Sequence, residues 1–260
     1  MKKHNYLIDI LRFFAAFLVV IAHLNAALPN VHNWYHGISR YGWVGVPAFF
    51  VISGYCIILS ANNSGSLKDF LIRRFFRIYP AYWVSLIIVL LSVVFQRIYL
   101  GASNVLNLPK NVTETIAAIT LATNPLTNIQ TVNWVYWTLT CELLFYLAVC
   151  LMLLFNKKHL IYFVTLVSLI ALVIPFQGRG ILFFLDHWPA FGLGAGIFFY
   201  FNSLDKLSRL LTMILLLSSI AGICNKFTPQ PEYIITAVIT FILIVISNYF
   251  LVKNNVLHFK

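Results

Sequence analysis

Apolar runs of bilayer-crossing length recur along this chain, beginning with residues 6–27, YLIDILRFFAAFLVVIAHLNAA. A membrane span needs about 20 mostly apolar residues. Eight segments meet or approach that measure: 6–27, 42–61, 78–99, 134–155, 160–176, 181–201, 208–224 and 232–252, with the fifth and seventh short. The pattern predicts an all-α, polytopic transmembrane helix bundle of about eight spans, organised as a single integral-membrane domain over 1–260. No soluble domain, internal repeat or low-complexity tract interrupts it. The longest connection, about 100–133, contains TETIAAITLAT at 113–123. That piece is apolar but too short to span unaided, and is expected to form an interfacial or re-entrant helix.

Composition agrees with this pattern. The chain is 61% hydrophobic and 10% charged, whereas soluble domains are about a quarter charged. Its formal charge of +11 would suggest nucleic acid in a soluble protein; here it fits basic loops facing an anionic cytoplasmic surface. With the N-terminus inside, the inner connections take twelve Lys and Arg, including Lys2, Lys3, Arg73, Arg74, Arg77, Lys157 and Lys158. The outer ones take five: Arg40, Arg97, Lys110, Arg179 and Lys226. That asymmetry predicts a cytoplasmic N-terminus, and an even number of spans predicts a cytoplasmic C-terminus. The basic-then-apolar start, MKKHNYLIDILRFF, resembles a signal peptide but lacks a clean cleavage site, so it is expected to stay as the first span. Cys56, Cys141, Cys150 and Cys224 form no metal-ligand spacing and read as small buried residues; no metal site is expected. The six tryptophans, Trp188 among them, fall near predicted span ends and read mostly as interfacial anchors. Gly192 and Gly196, four apart, allow close helix approach.

Against this background the polar positions inside spans stand out, because ionisable groups there are costly. The first span carries Asp9, Arg12 and His23. Arg12 and His23 are eleven residues apart, so they return to nearly one helix face about 16 Å apart along the axis. Asp9 and Arg12 also suit a plain i,i+3 ion pair, and His23 a neutral histidine bonded to a neighbouring helix. In LIRRFFRIYPAYW (71–83), Arg73, Arg74 and Arg77 offer planar guanidinium donors suited to phosphate; topology alone also accounts for basic residues there. In NWVYWTLTCELLFYLAVC (133–150), Glu142 lies in an apolar helix with Tyr146 four residues on. It must be neutral, paired with a cation such as Arg12 or one of the three arginines, or in a wet cavity. Asp186 and His187 stand at the outer end of the sixth span, lining a mouth for an external substrate or marking the membrane interface. Pro189 is expected to interrupt the helix there. His32, His36 and Arg40 read as solvated loop.

These motifs in order resemble the integral-membrane acyltransferase-3 family. The likeness runs through Asp9-x-x-Arg12 with the late His23, the run FFVISGY (49–55), Arg74-x-x-Arg77 before Tyr79-Pro80, and the run from Trp137 to Tyr146 containing Glu142. It covers roughly the first 150 residues; the later spans match mainly in hydropathy. Such proteins have about ten spans, so the resemblance implies either that the last spans are missing here, with LVKNNVLHFK resembling the lead-in to a further helix pair, or that this is a short variant. It also implies a bacterial cytoplasmic (inner) membrane location. The implied activity is O-acylation: transfer of an acetyl or other short acyl group from cytosolic acetyl-CoA to a hydroxyl of a glycan, surface polysaccharide or lipid-linked sugar. On that reading His23 and Glu142 are catalytic, and Arg12, Arg73, Arg74 and Arg77 hold the donor. Tyr146, Asp186 and His187 contact the acceptor. The expected partners are acyl-CoA, the glycan acceptor and membrane lipids. Two rival readings use the same charged spans: a transporter or flippase of lipid-linked saccharides, and a non-catalytic membrane scaffold.

Overall fold

Long apolar runs leave the backbone no partner in lipid except itself, and helices are the outcome. The computed structural model describes residues 5–26, 34–101 and 108–253, and no strand occurs among them. Ten α-helices follow in order: α1 (Tyr6–Ala26), α2 (Trp34–Ser39), α3 (Gly45–Asn63), α4 (Leu67–Leu100), α5 (Val112–Thr120), α6 (Trp137–Leu153), α7 (Leu160–Val173), α8 (Phe184–Asn202), α9 (Lys206–Phe227) and α10 (Pro231–Lys253). Seven helical segments among the described residues are long and apolar enough to cross a membrane. The protein is an all-α, multi-pass membrane bundle. The end of the chain beyond 253, where a lead-in to further helices is expected, lies outside the described residues, as does His32.

Three boundaries depart from the pattern read in the sequence. The expected fifth span, 160–176, is helical only over the 14 residues Leu160–Val173. Pro175 bars the residue before it from the helical region, and Ile174 is extended. The expected third span at 78–99 is part of α4, 34 residues or roughly 51 Å long. Ser66 caps its N-terminus by accepting from the Asp69 backbone N–H at 3.1 Å. The helix then runs through Pro80, so the arginine cluster belongs to the spanning helix itself. Pro189 does not interrupt α8 either; it is buried within that helix, against Gly222 of α9.

The chain divides into two compact units. The first comprises Met1–Asn62, Lys157–Pro175 and His187–Lys260. Its centre is α8, whose Trp188, Ala190, Phe191, Ala195 and Ile197 are all fully buried. Small residues set the spacing. A Cβ on Gly54 of α3 would run into the Phe191 carbonyl, and one on Gly194 into that of Val51. Gly192 and Gly196 admit Ser219 and Leu216 of α9 in the same way, as the four-residue spacing predicts. Trp188 is a core residue and no interfacial anchor: its Nε1 donates to Ser168 Oγ at 2.9 Å. Of the cysteines, Cys141 and Cys150 are buried but Cys224 is exposed on α9. Asn248, fully buried, accepts from the Tyr55 hydroxyl at 2.7 Å and ties α10 to α3.

The second unit comprises Asn63–Asn156 and Phe176–Asp186. Here α4 and α6 pack antiparallel, Phe70 meeting Tyr146 near one end and Tyr82 meeting Tyr136 near the other. The short helix α5 is nine residues, roughly 14 Å, and does not span. A helix end leaves its last four carbonyls without helical partners. Three of those of α5 are met from α4: Tyr82 donates to Ala118, Trp83 Nε1 to Ile119 at 3.1 Å, and Tyr79 to Thr120 at 3.3 Å. The fourth, Ala117, accepts from the Ala122 N–H at 2.9 Å. At its other end Asn111 caps the Glu114 N–H at 2.8 Å, while Glu114 accepts from the Lys110 N–H at 2.7 Å.

Candidate active site

On α1 the i,i+3 spacing forms its ion pair: Arg12 Nη1 lies 3.2 Å from Asp9 Oδ1. Arg12 is the better covered partner, at 23% exposure against 49% for Asp9. Asp9 therefore orients the guanidinium, at low net energy for a partly exposed pair. His23 is half-buried in the last turn of α1. Gly42 and Gly45 bring the following segment against the Leu18 and Ala15 carbonyls, so α1 and the start of α3 run antiparallel.

Elsewhere in the first unit, His187 is part-buried in an aromatic box. Its ring centroid lies 5.0 Å from Phe50, 5.6 Å from Phe227 and 6.1 Å from Tyr233. Its Nδ1 lies 3.2 Å from the Tyr233 hydroxyl. Phe227 and Tyr233 stack at 3.8 Å with planes 2° apart, and Lys226 donates to the Ile174 carbonyl at 3.0 Å. Tyr233 was not singled out in the sequence because nothing there pairs it with a residue 46 positions away.

Asp186, in the second unit, is 1% exposed. Its carboxylate accepts from the backbone N–H of Gln177 at 3.0 Å and of Gly178 at 2.8 Å. This holds the turn before α8, where Gly178 takes a φ of 67°.

A polar cluster lies where α4 meets α6. Glu142 and Tyr146 are one turn apart on α6, and the Tyr146 hydroxyl donates to Glu142 Oε1 at 2.6 Å. The guanidinium carbon of Arg74 lies 5.4 Å from the Tyr146 ring centroid and 5.8 Å from that of Phe70. The two rings meet edge to face at 6.5 Å and 76°. Arg74 thus occupies an aromatic corner, with cation–π attraction on two sides. Arg77 follows Arg74 by one turn on α4. Arg73 and Arg77 are exposed, whereas Arg74 is half-buried. The structure therefore brings Glu142, Tyr146 and Arg74 together, with Arg77 one turn from Arg74 on α4 and Phe70 as the member the sequence reading missed. Its signal was present: an aromatic residue four positions before an in-span arginine shares that arginine's helix face.

A family model described as an acyltransferase domain matches residues 5–257. The chain belongs to this acyltransferase-3 family. Peptidoglycan O-acetyltransferase OatA of Listeria monocytogenes is 40% identical over 100 residues, covering 36% of this chain and 14% of that protein. The O-acetyl transferase of Shigella phage Sf6 is 29% identical over 236 residues, covering 85% of this chain and 70% of that one. Nodulation protein 10 of Rhizobium leguminosarum is 29% identical over 175 residues, covering 58% and 44%. The matches thus span less than half of OatA and of nodulation protein 10. No solved structure matches. In this acyltransferase-3 chain the motif residues divide by role. Gly54 and Tyr55 of the FFVISGY run serve helix packing, against α8 and α10 respectively. Those of the Trp137–Tyr146 run and of Arg74-x-x-Arg77 build the charged cluster.

Proposed function

We propose that this protein transfers an acetyl or other short acyl group from acyl-CoA to a hydroxyl of a glycan or lipid-linked sugar, in the cytoplasmic membrane of a bacterium. The observation that carries the reading is the family match over residues 5–257. The names of relatives, a peptidoglycan O-acetyltransferase among them, support a glycan acceptor. The basic asymmetry of the loops supports a cytoplasmic N-terminus, hence a donor arriving on the side where α1 begins.

The chemistry required is simple to write. The acceptor oxygen attacks the thioester carbonyl, the carbon–sulfur bond breaks, and the acceptor's proton ends on the departing CoA sulfur. In the first unit, His23 is the residue proposed to take that proton as a neutral imidazole and return it to the thiolate. The same ring also suits transient acylation at a ring nitrogen. Arg12, oriented by Asp9, assists the donor. In the second unit, Arg73, Arg74 and Arg77 present guanidinium groups to donor phosphates, where paired charge-assisted hydrogen bonds are strongest. Glu142 serves the same cluster.

The test uses the purified chain in lipid vesicles with labelled acetyl-CoA and a glycan acceptor. Label transferred to acceptor hydroxyls, and lost in His23→Ala with normal membrane insertion, is the expected result. Retained transfer in His23→Ala removes its catalytic role. No loss of acetyl from the donor to any acceptor refutes the enzyme reading and leaves a transporter or scaffold.

A further inference from the structure

We infer that Tyr146 is a positioning residue with two separable contacts, its hydroxyl holding Glu142 and its ring holding Arg74. The inference rests on the proposed transferase reading and assigns Tyr146 a different part from acceptor contact. The side chain is 2% exposed, so it offers little surface to a sugar. Its hydroxyl is engaged: it donates to Glu142 Oε1 at 2.6 Å. Because Glu142 and Tyr146 share a helix and a face, that bond fixes the carboxylate's rotamer from one turn away.

The ring does something else. With Phe70, itself fully buried, it forms the corner in which the Arg74 guanidinium sits. Contact with two rings confines the guanidinium, and so narrows the directions in which its N–H groups donate. A phosphate recognised by a planar fork depends on those directions more than on charge alone. One aromatic residue thus sets the geometry of both the carboxylate and the arginine of the cluster. Removing the hydroxyl alone takes this bond from the carboxylate; removing the ring takes one wall of the corner from the arginine too.

Two substitutions separate these contacts. Tyr146→Phe keeps the ring and deletes the hydroxyl. It is expected to bind acetyl-CoA within about twofold of the parent, while the transfer rate falls about tenfold, the scale of one lost charge-assisted hydrogen bond. Phe70→Leu keeps the hydroxyl and opens the corner. It is expected to weaken acetyl-CoA binding about tenfold, the scale of a desolvated cation–π contact. Two readouts do not depend on turnover. Isotope-edited infrared should show the Glu142 carboxyl band moved in Tyr146→Phe and unmoved in Phe70→Leu. A double-mutant cycle of Tyr146→Leu with Arg74→Leu on unfolding midpoints should show coupling that the cycle of Tyr146→Phe with Arg74→Leu lacks. An unmoved Glu142 band in Tyr146→Phe, or zero coupling in the Tyr146→Leu cycle, overturns the assignment even where both variants fold. If the parent protein transfers no acetyl group, the transferase reading falls, and the infrared and coupling results still decide what Tyr146 holds.

Discussion

Gly54 shows how one missing side chain decides a helix contact. Any Cβ there would meet the Phe191 carbonyl and stand 3.0 Å from the Ala195 nitrogen. Both are backbone atoms inside α8, so neither can turn aside as a flexible side chain would. Gly54→Ala is therefore expected to lower the unfolding midpoint in detergent sharply, since overpacking costs about 1–3 kcal/mol even where the surroundings adjust. Gly37→Ala is the control: nothing lies within 4 Å of its Cβ position, and its midpoint should match the parent. Asp205 gives a pH-dependent case outside the spans. Its carboxylate caps α9 by accepting from the Ser208 N–H at 2.8 Å, and that backbone hydrogen bond holds its pKa below the ordinary value. A depressed folded-state pKa means the cap's stabilisation is present above the ordinary carboxylate range and is lost as pH falls through the lowered value. Asp205→Asn keeps a capping oxygen without the titration. The acid-side fall in unfolding midpoint should be shallower in this variant than in the parent.

The scale of elements is where sequence and structure part in an instructive way. The apolar runs located α1, α3, α6, α8, α9 and α10 within a few residues, because a membrane span is read from a continuous local quantity. The charged members of the α4–α6 cluster were also legible, since an ionisable residue in such a run is conspicuous. What local pattern did not carry was how cross-helix contacts complete an element. The apolar run predicts a span from 78, yet α4 begins 11 residues earlier at Leu67, with Phe70 and Arg74 packed on Tyr146. Phe70 and Tyr233 earn their places only once partners distant in sequence arrive. The short helix α5 makes the point most directly, because donors from another helix meet three of its terminal carbonyls. Tyr82→Phe leaves the Ala118 carbonyl without its donor in apolar surroundings. The cost is expected to be about 1–3 kcal/mol, and hydrogen exchange should rise first in the segment 117–123. Unchanged protection there would mean that the Tyr82 bond does not hold α5.

At the scale of the whole molecule the open quantity is the number of crossings, and α7 decides it. Its 14 residues give roughly 21 Å of helix against a hydrocarbon core of about 30 Å, so by length it falls short. Its neighbours argue the other way. Thr165 of α7 bonds the Leu211 carbonyl of α9, and Ile174, just past its end, receives Lys226; the two helices therefore run parallel. Between them in sequence, α8 runs opposite to α9, with Pro189 beside Gly222, Gly192 beside Ser219 and Gly196 beside Leu216. A helix that is parallel to one 22-residue apolar neighbour and precedes an antiparallel one occupies the place of a crossing segment. Local bilayer thinning or interfacial side chains at its ends make up modest length deficits of this kind. Single cysteines at Asn156 and Gln177, in a background without the four native cysteines, test this with a membrane-impermeant thiol reagent applied to intact cells. On the proposed topology, which puts Lys157 and Lys158 inside, cysteine at 177 should label from outside and cysteine at 156 only after permeabilisation. Labelling of both positions from the same side would make α7 re-entrant, reduce the crossings to seven and move every later connection to the opposite face.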